Sequence, residues 1–115
     1  MSLRTHLKLG GKEYRDEFFK AHSYTGITMQ IRIMREARGW SQAELARKAG
    51  MTQSMISRLE NENWEGMTLK TLFRVASAFD VAMLARFMGV DEFLSRTEDL
   101  SVKALNAPSF ESPNA

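Results

Sequence analysis

The sequence predicts an all-α protein: a bundle of four to five short helices, preceded by one extra helix and followed by one strand. Two observations carry that expectation. Between residues 28 and 79, apolar side chains recur at three- and four-residue spacing in four successive segments. Serine, threonine and glycine punctuate those segments at the positions where helices start and stop. Size agrees, since 115 residues of which 43% are hydrophobic and 26% charged suit one modest core with polar extensions.

Residues 1–11, ending in Leu9-Gly10-Gly11, are expected to be a flexible leader. Residues 12–22 follow as a short charged helix, with Tyr14, Phe18 and Ala21 on one stripe, until Thr25-Gly26 interrupts it. The first bundle helix spans 28–38: Ile27, Ile31, Met34 and Ala37 share a face, and Gly39 stands where a helix end needs a left-handed residue. Ser41 with Glu44 three positions on has the form of a capping box and opens a helix over 42–49. Gly50 ends it. Thr52 caps a third helix over 53–60, and Asn61-Glu62-Asn63-Trp64-Glu65-Gly66 is loop by its turn residues. Thr68 caps a fourth helix over 69–79, whose apolar face holds Leu69, Leu72, Phe73, Ala76 and Phe79.

After Asp80 the period changes. Residues 81–88, Val-Ala-Met-Leu-Ala-Arg-Phe-Met, form an apolar run bounded by Asp80 and Gly89. Its length and boundaries favour a strand, whereas its Ala, Met and Leu favour helix. A lone strand beside helices would leave backbone groups unpaired unless a two-fold mate supplied them. Residues 91–96 suit a last helical turn or two, and a mobile tail is expected from Glu98 onward. The expected organisation is therefore an N-terminal extension over 1–27, a core domain over 28–80, and a dimerisation segment with an acidic tail over 81–115.

Composition narrows the function. The absence of cysteine removes disulfides and thiolate metal sites, and His6 and His22 lack carboxylates at ligand spacing, so neither a metal nor another cofactor is expected. No Ser/His/Asp or Cys/His set offers an enzyme's machinery. No apolar run spans a membrane and no signal-peptide core is visible, which makes a soluble, cytoplasmic protein without a membrane partner the default. Residues 1–27 and 28–80 each carry a net charge of +2, whereas 91–115 carry −3. A basic body with an acidic tail is compatible with a nucleic-acid partner.

The segment 42–59 is more specific. Two short helices joined through a glycine, the second with a polar outer face, meet the requirements of a DNA-reading unit. Close helix packing needs a small residue, Ala46; the turn needs a residue tolerant of positive φ, Gly50; and the shared core needs Leu45, Ala49, Met51, Ile56 and Leu59. Gln53, Ser54, Ser57 and Arg58 then form an outer face able to hydrogen-bond base edges.

These residues resemble the lambda-repressor and Cro-like (XRE-type) helix-turn-helix regulators. The matching stretches begin with Ile31-Arg-Ile-Met-Arg35, Gly39-Trp-Ser-Gln-Ala-Glu-Leu-Ala46 and Ala49-Gly-Met-Thr-Gln-Ser54. They continue through Ile56-Ser-Arg-Leu-Glu-Asn61, Thr68-Leu-Lys-Thr-Leu72 and Val75-Ala-Ser-Ala-Phe79. The resemblance implies a DNA-binding transcription regulator, a repressor acting as a homodimer on double-stranded DNA. It implies that Gln42 contacts a phosphate and braces the base reader, and that Thr52, Gln53 and Ser54 open the recognition helix. Arg58 would reach a guanine or a phosphate, Asn61 the backbone, and Lys70, near a helix N-terminus, a phosphate. Arg35 follows the core residue Met34 and Glu60 the core residue Leu59, so each borders the apolar face, and the resemblance implies an ion pair between them, twenty-five residues apart as in relatives. Arg32 and Arg38 read as a wet face. Trp40 is expected to cover the core between the first two helices. Glu62 and Glu65 depart from the basic or small residues common in relatives, so that loop is expected to face away from DNA. A second reading makes DNA binding subordinate to a protein partner: an antitoxin that caps a toxin and regulates its own operon, or an adaptor. The extra N-terminal helix, the apolar run and the acidic tail motivate it.

Overall fold

A computed structural model describes residues 1–61, 64 and 66–111. These residues form seven helices: α1 (Leu3–Leu9), α2 (Gly11–Ala37), α3 (Gln42–Ala49), α4 (Gln53–Asn61), α5 (Leu69–Phe79), α6 (Val90–Thr97) and α7 (Val102–Leu105). The chain is all-helical among the described residues, as the periodicity predicts.

Each boundary of the central motif has a local cause. Ser41 Oγ accepts the Glu44 N–H at 3.1 Å, Thr52 Oγ1 accepts the Met55 N–H at 3.2 Å, and Thr68 Oγ1 accepts the Thr71 N–H at 3.2 Å. The reciprocal half of the capping box is not used, because the Glu44 carboxylate turns to Arg47 at 2.8 Å instead. Three helices end in the same double hydrogen bond. The N–H of Trp40, Met51 and Val81 reaches back to the carbonyl of Arg35, Ala46 and Ala76, while Gly39, Gly50 and Asp80 sit between in the left-handed region. Gly50 has φ 66°, a conformation that costs a residue with a Cβ about 1–2 kcal/mol.

The core lies where α2, α3, α4 and α5 meet. Ile31, Met34, Leu45, Ala46, Ile56, Leu59, Leu72, Val75 and Phe79 form one buried cluster, with Trp40, Met51 and Trp64 against its edge. Trp40 lies flat on Phe79, ring centroids 5.6 Å apart and planes 4° from parallel. Leu69 and Phe73, expected on the inner face of α5, are instead about half exposed, which narrows that face to Leu72, Val75, Ala76 and Phe79.

Outside the core the sequence expectations need correction. The leader and the two N-terminal segments are not separated as Gly10-Gly11 and Thr25-Gly26 suggested: residues 3–9 are helical, and α2 runs unbroken over 27 residues. A helical glycine costs only about 1 kcal/mol relative to alanine, and tertiary packing exceeds that here. α1 buries Leu7 against α2, and Phe19 of α2 meets Phe93 of α6 edge to face at 5.2 Å. Residues 81–89 form neither helix nor strand among the described residues, because a strand needs a ladder partner and nothing within the chain supplies one. Residues 91–96 do lie in a helix, α6.

The tail through Glu111 is docked, which corrects the mobile reading. Arg38 donates to Asn106 Oδ1 at 3.2 Å, the Ala107 carbonyl at 2.7 Å and Ser109 Oγ at 2.9 Å. Ser109 Oγ in turn donates to the Phe79 carbonyl at 2.6 Å, and the Phe110 N–H to the Asp80 carbonyl at 2.8 Å. Arg38 is thus no wet-face residue; it clasps the tail to the end of α5, and burial pulls its guanidinium below the usual arginine range. The expectations placed on Glu62, Asn63 and Glu65, and on Ser112, Pro113 and Asn114, lie outside the described residues.

Candidate nucleic-acid interface

The polar face of the motif starts from the way α4 is held. Its inner side carries Ile56 and Leu59, both fully buried, and the turn at Gly50 sets its angle to α3. That leaves Thr52, Gln53 and Ser54 exposed together at the N-terminal end of α4, with Arg58 exposed one turn further on and Ser57 half-buried beside it. Free N–H groups and the positive end of the helix dipole share that end with two side chains able to donate and accept. Lys70 is exposed in the first turn of α5, which likewise presents a helix N-terminus.

Two candidate residues sit differently from their expected roles. Gln42 is half-buried, and its amide points inward to Glu60 Oε1 at 3.4 Å. Asn61 accepts a hydrogen bond from Arg32 Nη2 at 2.7 Å and donates to the Ser57 carbonyl at 2.8 Å, so its side chain ties the end of α4 to α2. Arg58 stands with its guanidinium carbon 5.8 Å from the Trp64 ring centroid, a cation–π contact made by a residue that stays exposed.

Beneath this face lies the charged pair. Arg35 Nε donates to Glu60 Oε2 at 2.7 Å and Arg35 Nη2 to Glu60 Oε1 at 2.9 Å, a two-pronged contact of planar groups. Arg35 Nη1 adds the Trp40 carbonyl at 2.8 Å. The Glu60 side chain is 1% exposed, and its hydrogen bonds hold the Arg35 guanidinium above the usual arginine range despite opposition from burial. One interaction therefore locks α2, the α2–α3 turn and the end of α4 together. Arg32 extends the lock through the Glu60 carbonyl at 3.3 Å. This corrects the wet-face reading of Arg32; its spacing of three from Arg35 places it on the same flank and was the available signal.

With that geometry in place, similarity to known proteins settles the class. A family model described as helix-turn-helix matches residues 31–85. Antitoxin HipB of Escherichia coli strain K12 is 36% identical over 66 residues, a match that covers 57% of this chain and 74% of the relative.

The chain belongs to the Cro-like helix-turn-helix family. A Neisseria meningitidis protein named as a hypothetical transcription factor is 34% identical across 49% of this chain and 52% of its own. An HTH-type transcriptional regulator of Sinorhizobium fredii, itself uncharacterized, is 41% identical across 56% of this chain and 32% of its own. No solved structure matches significantly. DNA binding in transcription regulation is the role this helix-turn-helix family membership gives the chain. Among the described residues, no helix is long and apolar enough to cross a membrane.

Proposed function

We propose that this helix-turn-helix regulator is a cytoplasmic, non-enzymatic repressor that reads a two-fold operator as a homodimer, with α4 in the major groove. The observation that carries the reading is the exposed cluster Thr52, Gln53 and Ser54 at the N-terminus of a helix otherwise fixed by buried contacts. Base-reading side chains on a rigid element lose little entropy on binding, and a glutamine amide can pair with both edge atoms of adenine. Arg58 supplies a further base or phosphate contact, and Lys70 a phosphate contact. One such domain makes few base contacts, so affinity calls for two copies with recognition helices about 34 Å apart. In this reading residues 28–80 are the DNA-binding unit and 81–115 hold the dimer contact. Gln42 and Asn61 serve chiefly by bracing Glu60 and α4, with any phosphate contact secondary.

Gln53→Ala and Lys70→Ala test the assignment together by quantitative binding to a selected operator. Gln53→Ala should cost roughly 1–3 kcal/mol and relax preference at one base position. Lys70→Ala should weaken all sequences about equally and reduce the salt slope by about one. Unchanged affinity and preference in Gln53→Ala would remove the recognition-helix assignment.

The likeness to antitoxin HipB over 74% of that relative favours a second reading, in which the chain also binds a protein toxin and regulates its own operon. Co-purification of a stoichiometric protein product of an adjacent reading frame would favour it; a regulator isolated as a homodimer on DNA alone favours the first.

A further inference from the structure

Trp64 lies between the end of α4 and the start of α5, and three neighbours hold its indole. It packs against the edge of the buried cluster, where it is half-buried. Gly66 lies so close that a Cβ on it would collide with three atoms of the six-membered ring. Arg58 of α4 supplies the third contact, its guanidinium carbon 5.8 Å from the ring centroid. The main chain at this point is closed by two short hydrogen bonds. The Met67 N–H donates to the Trp64 carbonyl and the Thr68 N–H to the Gly66 carbonyl, both at 2.9 Å. The indole is thus fixed by its own turn before it meets the arginine.

We infer that Trp64 is a positioning residue for DNA reading: its indole face orders the Arg58 guanidinium, and Gly66 leaves the room that the ring needs. This rests on the reading of α4 as the recognition helix, and it assigns how one contact of that helix is aimed. An arginine side chain has many rotamers to lose when a ligand fixes it, and a partner that orders it beforehand removes part of that cost. A carboxylate would also order it, as Glu44 does for Arg47 at 2.8 Å. But a carboxylate occupies N–H donors and offsets the charge that a phosphate or a guanine has to meet. An indole face has neither a negative charge nor an acceptor oxygen, so it orders Arg58 without neutralising it.

Full-length variants on an operator selected from random oligonucleotides test the assignment. Arg58→Ala should lower operator affinity about tenfold or more. Trp64→Leu keeps an apolar side chain against the core but removes the π face, and should lose about two- to fivefold. Trp64→Phe should restore most of that loss. Gly66 is not in the left-handed region, so Gly66→Ala strains no backbone and acts by pushing the ring aside. It should weaken binding as Trp64→Leu does. Both losses should vanish in the Arg58→Ala background, because the indole acts through that side chain. Trp64 is the one indole left once Trp40 is replaced by phenylalanine. In that protein, free of DNA, Arg58→Ala should shift the tryptophan emission. If Trp64→Leu and Gly66→Ala weaken binding equally with and without Arg58, or leave it unchanged while Arg58→Ala is costly, the positioning role is overturned and the recognition helix stands. Emission unaltered by Arg58→Ala would overturn it as well. Parent-like operator binding by Arg58→Ala would overturn the DNA contact of Arg58 itself, and the positioning role with it.

Discussion

Glu60 shows how one side chain can hold a functional surface without touching the ligand. It accepts both prongs of Arg35 and a weak third donor, Gln42, while its carbonyl takes Arg32. A buried carboxylate so surrounded adds little net stability, but removing it strands a buried guanidinium. Glu60→Ala should therefore cost about 3 kcal/mol in chemical denaturation, whereas Arg35→Met with Glu60→Leu should be much milder. Equal losses in the single and the double variant would contradict that account. The pair was legible in the sequence through the family resemblance and through position, since Arg35 follows the core residue Met34 and Glu60 the core residue Leu59, at the border of the apolar face. Arg38 carried no such signal: three arginines on one helix look alike in sequence, and only the tail, seventy residues away in the chain, makes one of them a clasp.

At the scale of elements, what was legible followed from short-range physics. Ser41, Thr52, Thr68, Gly39 and Gly50 each act within one turn of their own helix, and α3, α4 and α5 begin and end within a residue of expectation. Thr25-Gly26 misled for the converse reason. A glycine weakens a helix by a fixed small amount, while Phe19 on Phe93 is a contact between segments far apart in sequence. The length and boundaries of residues 81–88 favour a strand, yet a strand is a property of a pair, and among the described residues no second segment pairs with this one. The turn at Gly50 is where the element scale meets function, since it sets the direction of α4. A Cβ there would meet no atom within 4 Å, so space is not at issue and only the backbone conformation is. Gly50→Ala should lower stability by about 1–2 kcal/mol, seen as a melting temperature reduced by several degrees, and Gly50→Asn by less. An alanine variant as stable as the parent would show that the left-handed turn is not maintained in solution.

The whole molecule separates its surfaces. α3 and α4 present the polar face; α2 and α5 enclose an apolar groove; and the N-terminal half of α2 carries α1, with Leu7 buried, and meets α6 through Phe19 on Phe93. α2 spans all three, so a single 27-residue helix is the frame on which they are mounted. The C-terminal region does not float free of the basic body: Asp91 pairs with Arg4 at 2.8 Å, and the Arg38 guanidinium, donating to Asn106, the Ala107 carbonyl and Ser109, holds the tail on the end of α5. Among the described residues, the N-terminal end of α4 exposes amide and hydroxyl groups side by side on a helix held by buried contacts, which is the basis for proposing it for the major groove. Selection from random double-stranded oligonucleotides with the full chain tests this directly. The account predicts an enriched inverted repeat with half-site centres one helical turn, about 34 Å, or a multiple of it apart, and loss of one base preference in each half-site with Gln53→Ala. A selection that enriches no sequence, or one whose enriched site is unaltered by Gln53→Ala, would contradict it.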